Sequence, residues 1–379
     1  MRLGAIVNDA NRVWNVLLFA VLAQGCHGGS RPTDLPSHPA ICAMTPAAVS
    51  TEAVVAPELN LSGGWRPLAT IQASRPLNTG DHETAQLTAI AIDDENVYVG
   101  ESRGAILKIP KVGGTPIEMV VNDWNHVLSP TGMGVDATHI FWITFSSYAG
   151  DETGGIVMRL AKSGGSAERI AHTPGTAFAA AFDPSHIYYV DGADHSASKP
   201  MIHVRRVPKA GGAASSLTLL EHSANGMVTD GKLLFLATYD WGDGPGTPWR
   251  LFNLDPRTSK FSALGFGGSE AMAVDDTYIY WADDAGVVSR MNKRGGIAEK
   301  ICTGPVGAVD LVADETALYW TTRESGRGKA WVSHVMKVPK TGGEPIQMGE
   351  GAGGMVLRVA VDAHDLYWMI PSAVLVHAK

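Results

Sequence analysis

Residues 273–281 read AVDDTYIYW and residues 360–368 read AVDAHDLYW. In both, small or branched residues lead into an aspartate, and after a three-residue turn comes an aliphatic–aromatic pair. The same frame recurs as AIDDENVYV (91–99), GVDATHIFW (134–142), AFDPSHIYY (181–189), VTDGKLLFL (228–236) and VADETALYW (312–320). Its anchors, Asp93, Asp136, Asp183, Asp230, Asp275, Asp314 and Asp362, fall 39 to 48 residues apart. A repeat of that length with room for four short strands is the mark of a β-propeller blade.

Each part of the frame has a physical reason. The strand before the aspartate lines a crowded central axis, where Gly132, Gly134, Ala179, Ala181, Ala271 and Ala273 fit. The aspartate bonds backbone amides beyond it and fixes the turn. The β-branched and aromatic strand that follows suits burial between neighbouring blades. Third strands read ILKIPK (106–111) and VMKVPK (335–340), with proline at the strand end, where a missing N–H costs least. Gly113-Gly114, Gly164-Gly165, Gly211-Gly212, Gly295-Gly296 and Gly342-Gly343 then supply the left-handed turn into an outer strand. Lys111, Lys162, Lys209 and Lys340, beside these turns, read as solvated charges facing the Asp turns, where ion pairs would contribute little.

The two ends of the array fix the blade count. The seventh unit stops after a third strand, AVLVHA (373–378), while GGWRPLATI (63–71) is a turn plus outer strand with no unit before it. The expected fold is therefore all-β: one closed seven-bladed propeller over residues 61–379, four strands per blade, the last completed by an N-terminal outer strand. Closure removes the exposed sheet edge that an open array would leave.

IYWAD (279–283) with VVSR (287–290), and LYWT (318–321), resemble the YWTD repeats of low-density-lipoprotein-receptor-type propellers. More broadly, the Tyr-Trp, Lys-Val-Pro-Lys and Gly-Gly elements resemble bacterial exported propeller repeat proteins. The resemblance covers about residues 61 to 379 and implies the fold. YWTD propellers usually have six blades, so seven anchors are a departure. Propellers host binding, scaffolding and several chemistries, so the resemblance implies no activity.

Ahead of the repeats, residues 1–25 read as an export signal, with Arg2 and Arg12 beside the short apolar run VLLFAVLA (16–23). LAQGC (22–26) resembles a bacterial lipobox, which implies lipidation at Cys26; Ala23 stands where that pattern carries leucine. Ordinary cleavage before Cys26 is the alternative. The expected address is an outer-membrane or cell-surface lipoprotein, or otherwise a periplasmic or secreted protein. Residues 26–60, rich in Pro, Ala, Ser and Thr, read as a tether. Cys42 and Cys302 are the remaining thiols; an oxidising compartment permits their pairing, and their spacing excludes a zinc ribbon.

A net charge of -8 with no basic run gives no reason to bind nucleic acid, and any membrane association is expected only through the lipid at Cys26. There is no Gly-x-Ser-x-Gly elbow, phosphate-binding glycine loop or His-Glu-x-x-His. His82, His126, His172 and His222 each fall in a loop entering a first strand and form a candidate metal site, with a divalent metal as the one cofactor they admit. Amidating-enzyme lyase and streptogramin-lyase propellers, similar in architecture, use His-centred metal sites, but no motif of either is present. Solvated loop histidines are the plainer account. Asn225 and Glu270 begin first strands, where a lactonase-type calcium site would want more oxygens than the other blades supply.

Trp124, Tyr148, Tyr239, Asp240, Trp241 and Asp243 form the candidate binding surface, on the face with the longest second-to-third-strand loops (145–155, 191–200 and 239–247). Asp123, Asp151, Glu152, Asp191 and Asp194 make that face acidic. The expected function is ligand binding or scaffolding by a monomeric protein, for a protein, peptide or glycan partner. A metal-dependent lyase or hydrolase is the alternative.

Overall fold

The Asp-x-x-x-aliphatic-aromatic frame folds as a tight turn between two antiparallel strands, repeated seven times. The computed structural model describes residues 64–71, 86–102, 104–120, 129–145, 155–172, 176–193, 201–220, 223–239, 249–324, 332–352 and 358–379. Twenty-eight strands in these residues form seven four-stranded antiparallel sheets around one axis, with no helix among them. Blade 1 is β2 (Leu87–Ile92), β3 (Asn96–Glu101), β4 (Ile106–Pro110) and β5 (Ile117–Val120). Blade 2 is β6 (Ser129–Val135), β7 (His139–Phe145), β8 (Ile156–Ala161) and β9 (Glu168–His172). Blade 3 is β10 (Thr176–Phe182), β11 (His186–Ala193), β12 (Met201–Pro208) and β13 (Ser215–Leu220). Blade 4 is β14 (Ser223–Thr229), β15 (Leu234–Tyr239), β16 (Arg250–Asp255) and β17 (Lys260–Phe266). Blade 5 is β18 (Ala271–Val274), β19 (Tyr278–Ala282), β20 (Val287–Asn292) and β21 (Glu299–Thr303). Blade 6 is β22 (Ala308–Ala313), β23 (Ala317–Glu324), β24 (Val332–Pro339) and β25 (Ile346–Ala352).

Blade 7 is composite. β26 (Arg358–Val361), β27 (Asp365–Ile370) and β28 (Ala373–Ala378) come from the C-terminus, and β1 (Arg66–Thr70) adds the outer strand, Arg66 opposite Val376 and Thr70 opposite Ala373. Trp65 secures the junction. Its indole N–H donates to the Met348 carbonyl of blade 6 at 2.8 Å, and its ring meets Trp368 edge-on at 5.6 Å. Gly349 makes the room, since a Cβ there would lie 2.7 Å from the indole nitrogen.

The second strands are buried on both faces, so alternate residues serve different seams. In β19, Ile279 and Trp281 pack toward blade 4 and Tyr280 toward blade 6. Seven apolar clusters result, one per seam, the last joining Tyr367 and Val374 of blade 7 to Val97 and Val99 of blade 1. Cys302 is a free thiol inside the seam of blades 5 and 6, and burial pushes its pKa up to about 11. Cys42, like the export signal, Cys26 and the tether, lies outside the described residues.

The lysines correct a sequence expectation. They are not solvated turn charges but clamps between blades. Lys111 reaches Asp362 (2.5 Å), Lys162 reaches Asp93 (2.7 Å), Lys209 reaches Asp136 (3.8 Å) and Lys340 reaches Asp275 (2.7 Å). Lys293 and Lys379 do the same to Asp230 (2.5 Å) and Asp314 (2.6 Å). In each case the lysine of one blade grips the turn aspartate of the blade before it. The cause is geometric: the amide of Lys111 is held by the Glu95 carbonyl of its own blade, which aims the side chain across the seam. At the seam of blades 3 and 4 the corresponding residue is Pro256, which has no ammonium to offer Asp183, and the next residue, Arg257, pairs with Asp255 of its own blade.

Each aspartate divides its oxygens. In Asp275, Oδ1 accepts the amides of Thr277 and Tyr278, both at 2.8 Å, and Oδ2 accepts the Tyr280 hydroxyl and the Lys340 ammonium, both at 2.7 Å. Burial alone would push these carboxyls up. The ammonium, two amides and the tyrosine hydroxyl outweigh it and hold Asp93, Asp275 and Asp362 at about 2. A carboxyl whose pKa is lower folded than unfolded stabilises at pH above its ordinary value, and that contribution is lost as pH falls toward the folded value. Lys111→Met is expected to lower stability by about 1–2 kcal/mol at pH 7. In urea titrations the gap to wild type should narrow from pH 4 to pH 2.5; an unchanged gap would mean the clamp does not depend on the carboxylate.

Candidate functional site

Every first strand runs from a loop face to the clamped turn face, and the first strands touch one another around the axis, β26 against β2 included. Four places before each turn aspartate stand Ala89, Gly132, Ala179, Gly226 and Ala271, then Asp310 and Arg358. Small residues are required where strands crowd: a Cβ on Gly226 would lie 2.1 Å from the Ser269 carbonyl oxygen. Blades 6 and 7 break that rule with a charged pair. Asp310 Oδ2 accepts the Val359 amide at 3.0 Å, Oδ1 accepts the Leu311 amide at 3.1 Å, and Arg358 Nη1 lies 3.9 Å from Oδ1. Burial pushes the Asp310 carboxyl up against the opposing pull of Arg358 and the two amides. Protein surrounds Asp310, yet its side chain keeps 23% of its surface open, as a group lining a narrow channel does.

One place nearer the loop face stand Thr88, Thr131, Phe178, Asn225, Glu270 and Val309, at β-bulges in all but Glu270, which immediately precedes its strand. Bulges re-aim side chains, and the one at Asn225 brings its amide within reach of Glu270 of the next blade. Asn225 Nδ2 donates to Glu270 Oε1 at 2.9 Å and lies 3.5 Å from the Tyr239 hydroxyl. The Tyr239 ring meets Trp249 at 4.8 Å. On the other flank Arg323, at the end of β23, lies within the fields of Glu270 and Asp284; burial lowers its pKa and the two carboxylates oppose this. Blades 4, 5 and 6 thus each bring a polar or charged side chain to the loop-face ends of their strands, with an aromatic pair at one side.

Backbone contacts hold the far flank. The Gly307 amide donates to the Asp284 carbonyl (3.1 Å), the Arg323 amide to the Gly307 carbonyl (2.8 Å), and the Gly304 amide to the Gly286 carbonyl (2.8 Å). The last contact needs glycine: Gly286 has φ +81°, and a Cβ there would sit 2.3 Å from the Gly304 oxygen.

Of the sequence-predicted binding residues, Tyr239 ends β15 at the loop face. Trp124, Tyr148, Asp240, Trp241 and Asp243 lie outside the described residues, as do His82, His126 and His222. His172 ends β9, the outermost strand of blade 2, and is exposed at the rim of the loop face. Among the described residues, no group of three or more His, Cys, Asp or Glu is placed to hold a metal ion. Asn225 and Glu270 bond to each other through Nδ2 and Oε1, and the Asn225 Oδ1 accepts from the Ser223 hydroxyl. Sequence reasoning singled out Asn225 and Glu270 but missed Arg323, Asp310 and Arg358. The break in the small-residue rule was the available signal for the last two.

Asp191 is a correction. Expected on the acidic loop surface, it is part of β11 and only 1% exposed, with Oδ2 accepting the Arg205 Nε–H at 2.7 Å. Its Oδ1 and the nearby Tyr189 hydroxyl are buried with no hydrogen-bond partner among the described residues. Burial pushes the Asp191 carboxyl up although Arg205 and His203 pull it down.

No family model matches the sequence, and no curated protein matches it either. Solved structures do. An oligogalacturonate lyase in complex with manganese superposes with TM-score 0.55 at 8% identity, over 84% of this chain and 98% of that one. YCF48 from Cyanidioschyzon merolae gives 0.55 at 13% identity, over 83% and 98%. The computationally designed Ika8 protein gives 0.53 at 10% identity, over 83% and 99%. At such identities the likeness shows the fold alone: the chain is a seven-bladed β-propeller.

Arg205→Met strands a buried carboxylate and is expected to cost about 3–5 kcal/mol at pH 7. Because burial raises the Asp191 carboxyl above its ordinary value, the loss should shrink as pH falls from 7 toward 4. Urea midpoints at the two pH values measure this, and a pH-independent loss would mean Asp191 is not the stranded group.

Proposed function

We propose that this propeller is an exported, lipid-anchored binding or scaffolding protein that engages its ligand through the loop face. One observation carries the reading: the two faces differ in kind. The turn face is committed to holding blades together, six of its seven seams closed by a lysine on a turn aspartate. The loop face is where the repeat breaks, both in the sequence of its long loops and in the polar side chains of Asn225, Glu270 and Arg323. Loops far beyond turn length are commonly functional.

The anchor is consistent with that division. β1 starts at the turn face, beside the end of β28, so the chain before Arg66 leaves from the side opposite the loops. A protein tethered through Cys26 would present the loop face away from the membrane. Among the described residues, no helix is long and apolar enough to cross a membrane. Export rests on residues 1–25 and the anchor on the LAQGC motif, which supplies one acylated cysteine.

Two outcomes test this. Each buried methylene of an acyl chain contributes about 0.8 kcal/mol, so wild type should sediment with membranes and Cys26→Ser should move to the soluble fraction; a fully soluble wild type removes the anchor. Replacing Trp124 and Trp241 together by Ala should abolish capture of a loop-face ligand and leave the melting temperature within about 2 °C, because exposed recognition residues add little to folding. A large fall in melting temperature would make those rings packing residues.

A further inference from the structure

We propose that the channel mouth over blades 4 to 6 binds a neutral oligosaccharide, held by Asn225 and Glu270 against the Tyr239–Trp249 aromatic pair. This rests on the loop-face reading above and narrows it to a ligand class and a site. The chemistry follows from what the mouth presents. A sugar ring offers hydroxyls, each both donor and acceptor, around its edge and an apolar C–H surface on its face. Planar groups with fixed orientation recognise the first, and an aromatic ring recognises the second.

Both are present and oriented. Asn225 is fixed from two sides, Nδ2 donating to Glu270 at 2.9 Å and Oδ1 accepting from the Ser223 hydroxyl at 3.4 Å. The bond to Glu270 engages its Oε1, and the residue itself is exposed, so its carboxylate is within reach of a ligand hydroxyl. Tyr239 and Trp249, both half-buried, meet at 4.8 Å and 54°, and Trp249 also packs against the apolar seam of blades 4 and 5, which braces the pair. The frame behind them is stiff. Gly267 and Gly268 carry blade 4 into blade 5 across the Trp281 ring and Leu251, where any Cβ would clash, so the step from the aromatic pair to Glu270 has one available path. A site built on strand ends and a locked connection keeps its geometry better than one on loops.

Charge selects the class of sugar. Arg323 lies in the combined field of Glu270 and Asp284, so a ligand ammonium would compete with a resident guanidinium for the same carboxylates. The protein carries a net charge of -8, which repels acidic sugars. A neutral polyol escapes both penalties. Basic peptides and uronic acids are therefore the discriminating competitors.

The test uses the full mature chain on an array of neutral, acidic and amino oligosaccharides, with hits titrated by tryptophan fluorescence and calorimetry. Binding of neutral oligosaccharides is expected. Glu270→Gln and Asn225→Ala should each weaken it by about tenfold or more, the effect of losing one hydrogen bond to a charged or fixed partner. Asp365→Asn, on the opposite face, should leave it unchanged. Melting temperatures of the two mouth variants serve as the folding control, and where Asn225→Ala unfolds, Glu270→Gln alone decides. No neutral hit, or hits indifferent to Glu270→Gln, overturns the proposal. A lysine-rich peptide or an acidic sugar bound instead would overturn the ligand class while sparing the loop-face reading; capture of a ligand lost only in the Trp124/Trp241 variant would move the site away from this mouth.

Discussion

The turn aspartate carries the architecture. One carboxylate in each blade accepts two backbone amides, a tyrosine hydroxyl where the second strand supplies one and, in every blade but the third, the ammonium of the next blade. In Asp362 these are His364, Asp365, Tyr367 and Lys111, all within 3.1 Å. The first two contacts shape a blade and the last joins it to its neighbour, so local turn and ring assembly share one group. The cation sits over the same aromatic ring that donates the hydroxyl, Lys340 5.2 Å from the Tyr280 centroid and Lys111 5.2 Å from that of Tyr367. Where tyrosine is replaced by Phe141 or Phe235, the lysine still lies over the ring, at 4.8 and 6.0 Å. Attraction to the ring face therefore persists when the hydroxyl contact is lost.

The seam of blades 3 and 4 shows how the ring tolerates a missing clamp. Asp183 keeps its amides and Tyr188 but receives no lysine. That seam instead joins Val190, Val204, Leu217, Leu220, Leu234, Leu236 and Leu254 in an extended apolar cluster, and Arg206 of blade 3 donates to the Pro256 carbonyl of blade 4 at 2.6 Å. The arginine contact is not special to this seam, since Arg159 and Arg290 make the equivalent bond to the Lys209 and Lys340 carbonyls. Apolar burial is thus the common currency of all seven seams, and the ion pairs set register on top of it. Register matters because a strand displaced by one residue exchanges the faces that each seam needs.

How much of this was legible in the sequence follows from what repeats. The seven anchors, the proline-ended third strands and the Gly-Gly turns are local, and local patterns survive being read one blade at a time. Ring closure was legible too, because GGWRPLATI lacks a unit exactly as AVLVHA lacks an outer strand. The lysine clamps were not. Lys111 and Asp362 are joined only when blade 1 meets blade 7, and the spacing along one chain says nothing about which turn a lysine faces. Asp191 was misplaced for a related reason: polar Asp191, Gly192 and Ala193 look like the start of a loop, whereas pairing with His203, Ile202 and Met201 extends the strand through them. Asn225 and Glu270 were both noticed at the starts of first strands; their contact depends on the bulge at Asn225, which no residue pattern announces.

That contrast also bears on where function can arise in such a molecule. A ring that closes by repetition constrains most positions twice, once for the blade and once for the seam, and Ala89, Gly132, Ala179, Gly226 and Ala271 show the axis held to the smallest side chains. Asp310 and Arg358 occupy that same position only because the carboxylate takes up the free amide of Val359 in the next strand and so replaces packing with a hydrogen bond. One layer out, at the bulges, the residues diverge from blade to blade, from Thr88 to Asn225 to Val309. Freedom to vary therefore begins at the bulge and increases toward the loop face. The contact of Asn225 with Glu270 lies at the first layer where chemistry can be added without opening a seam.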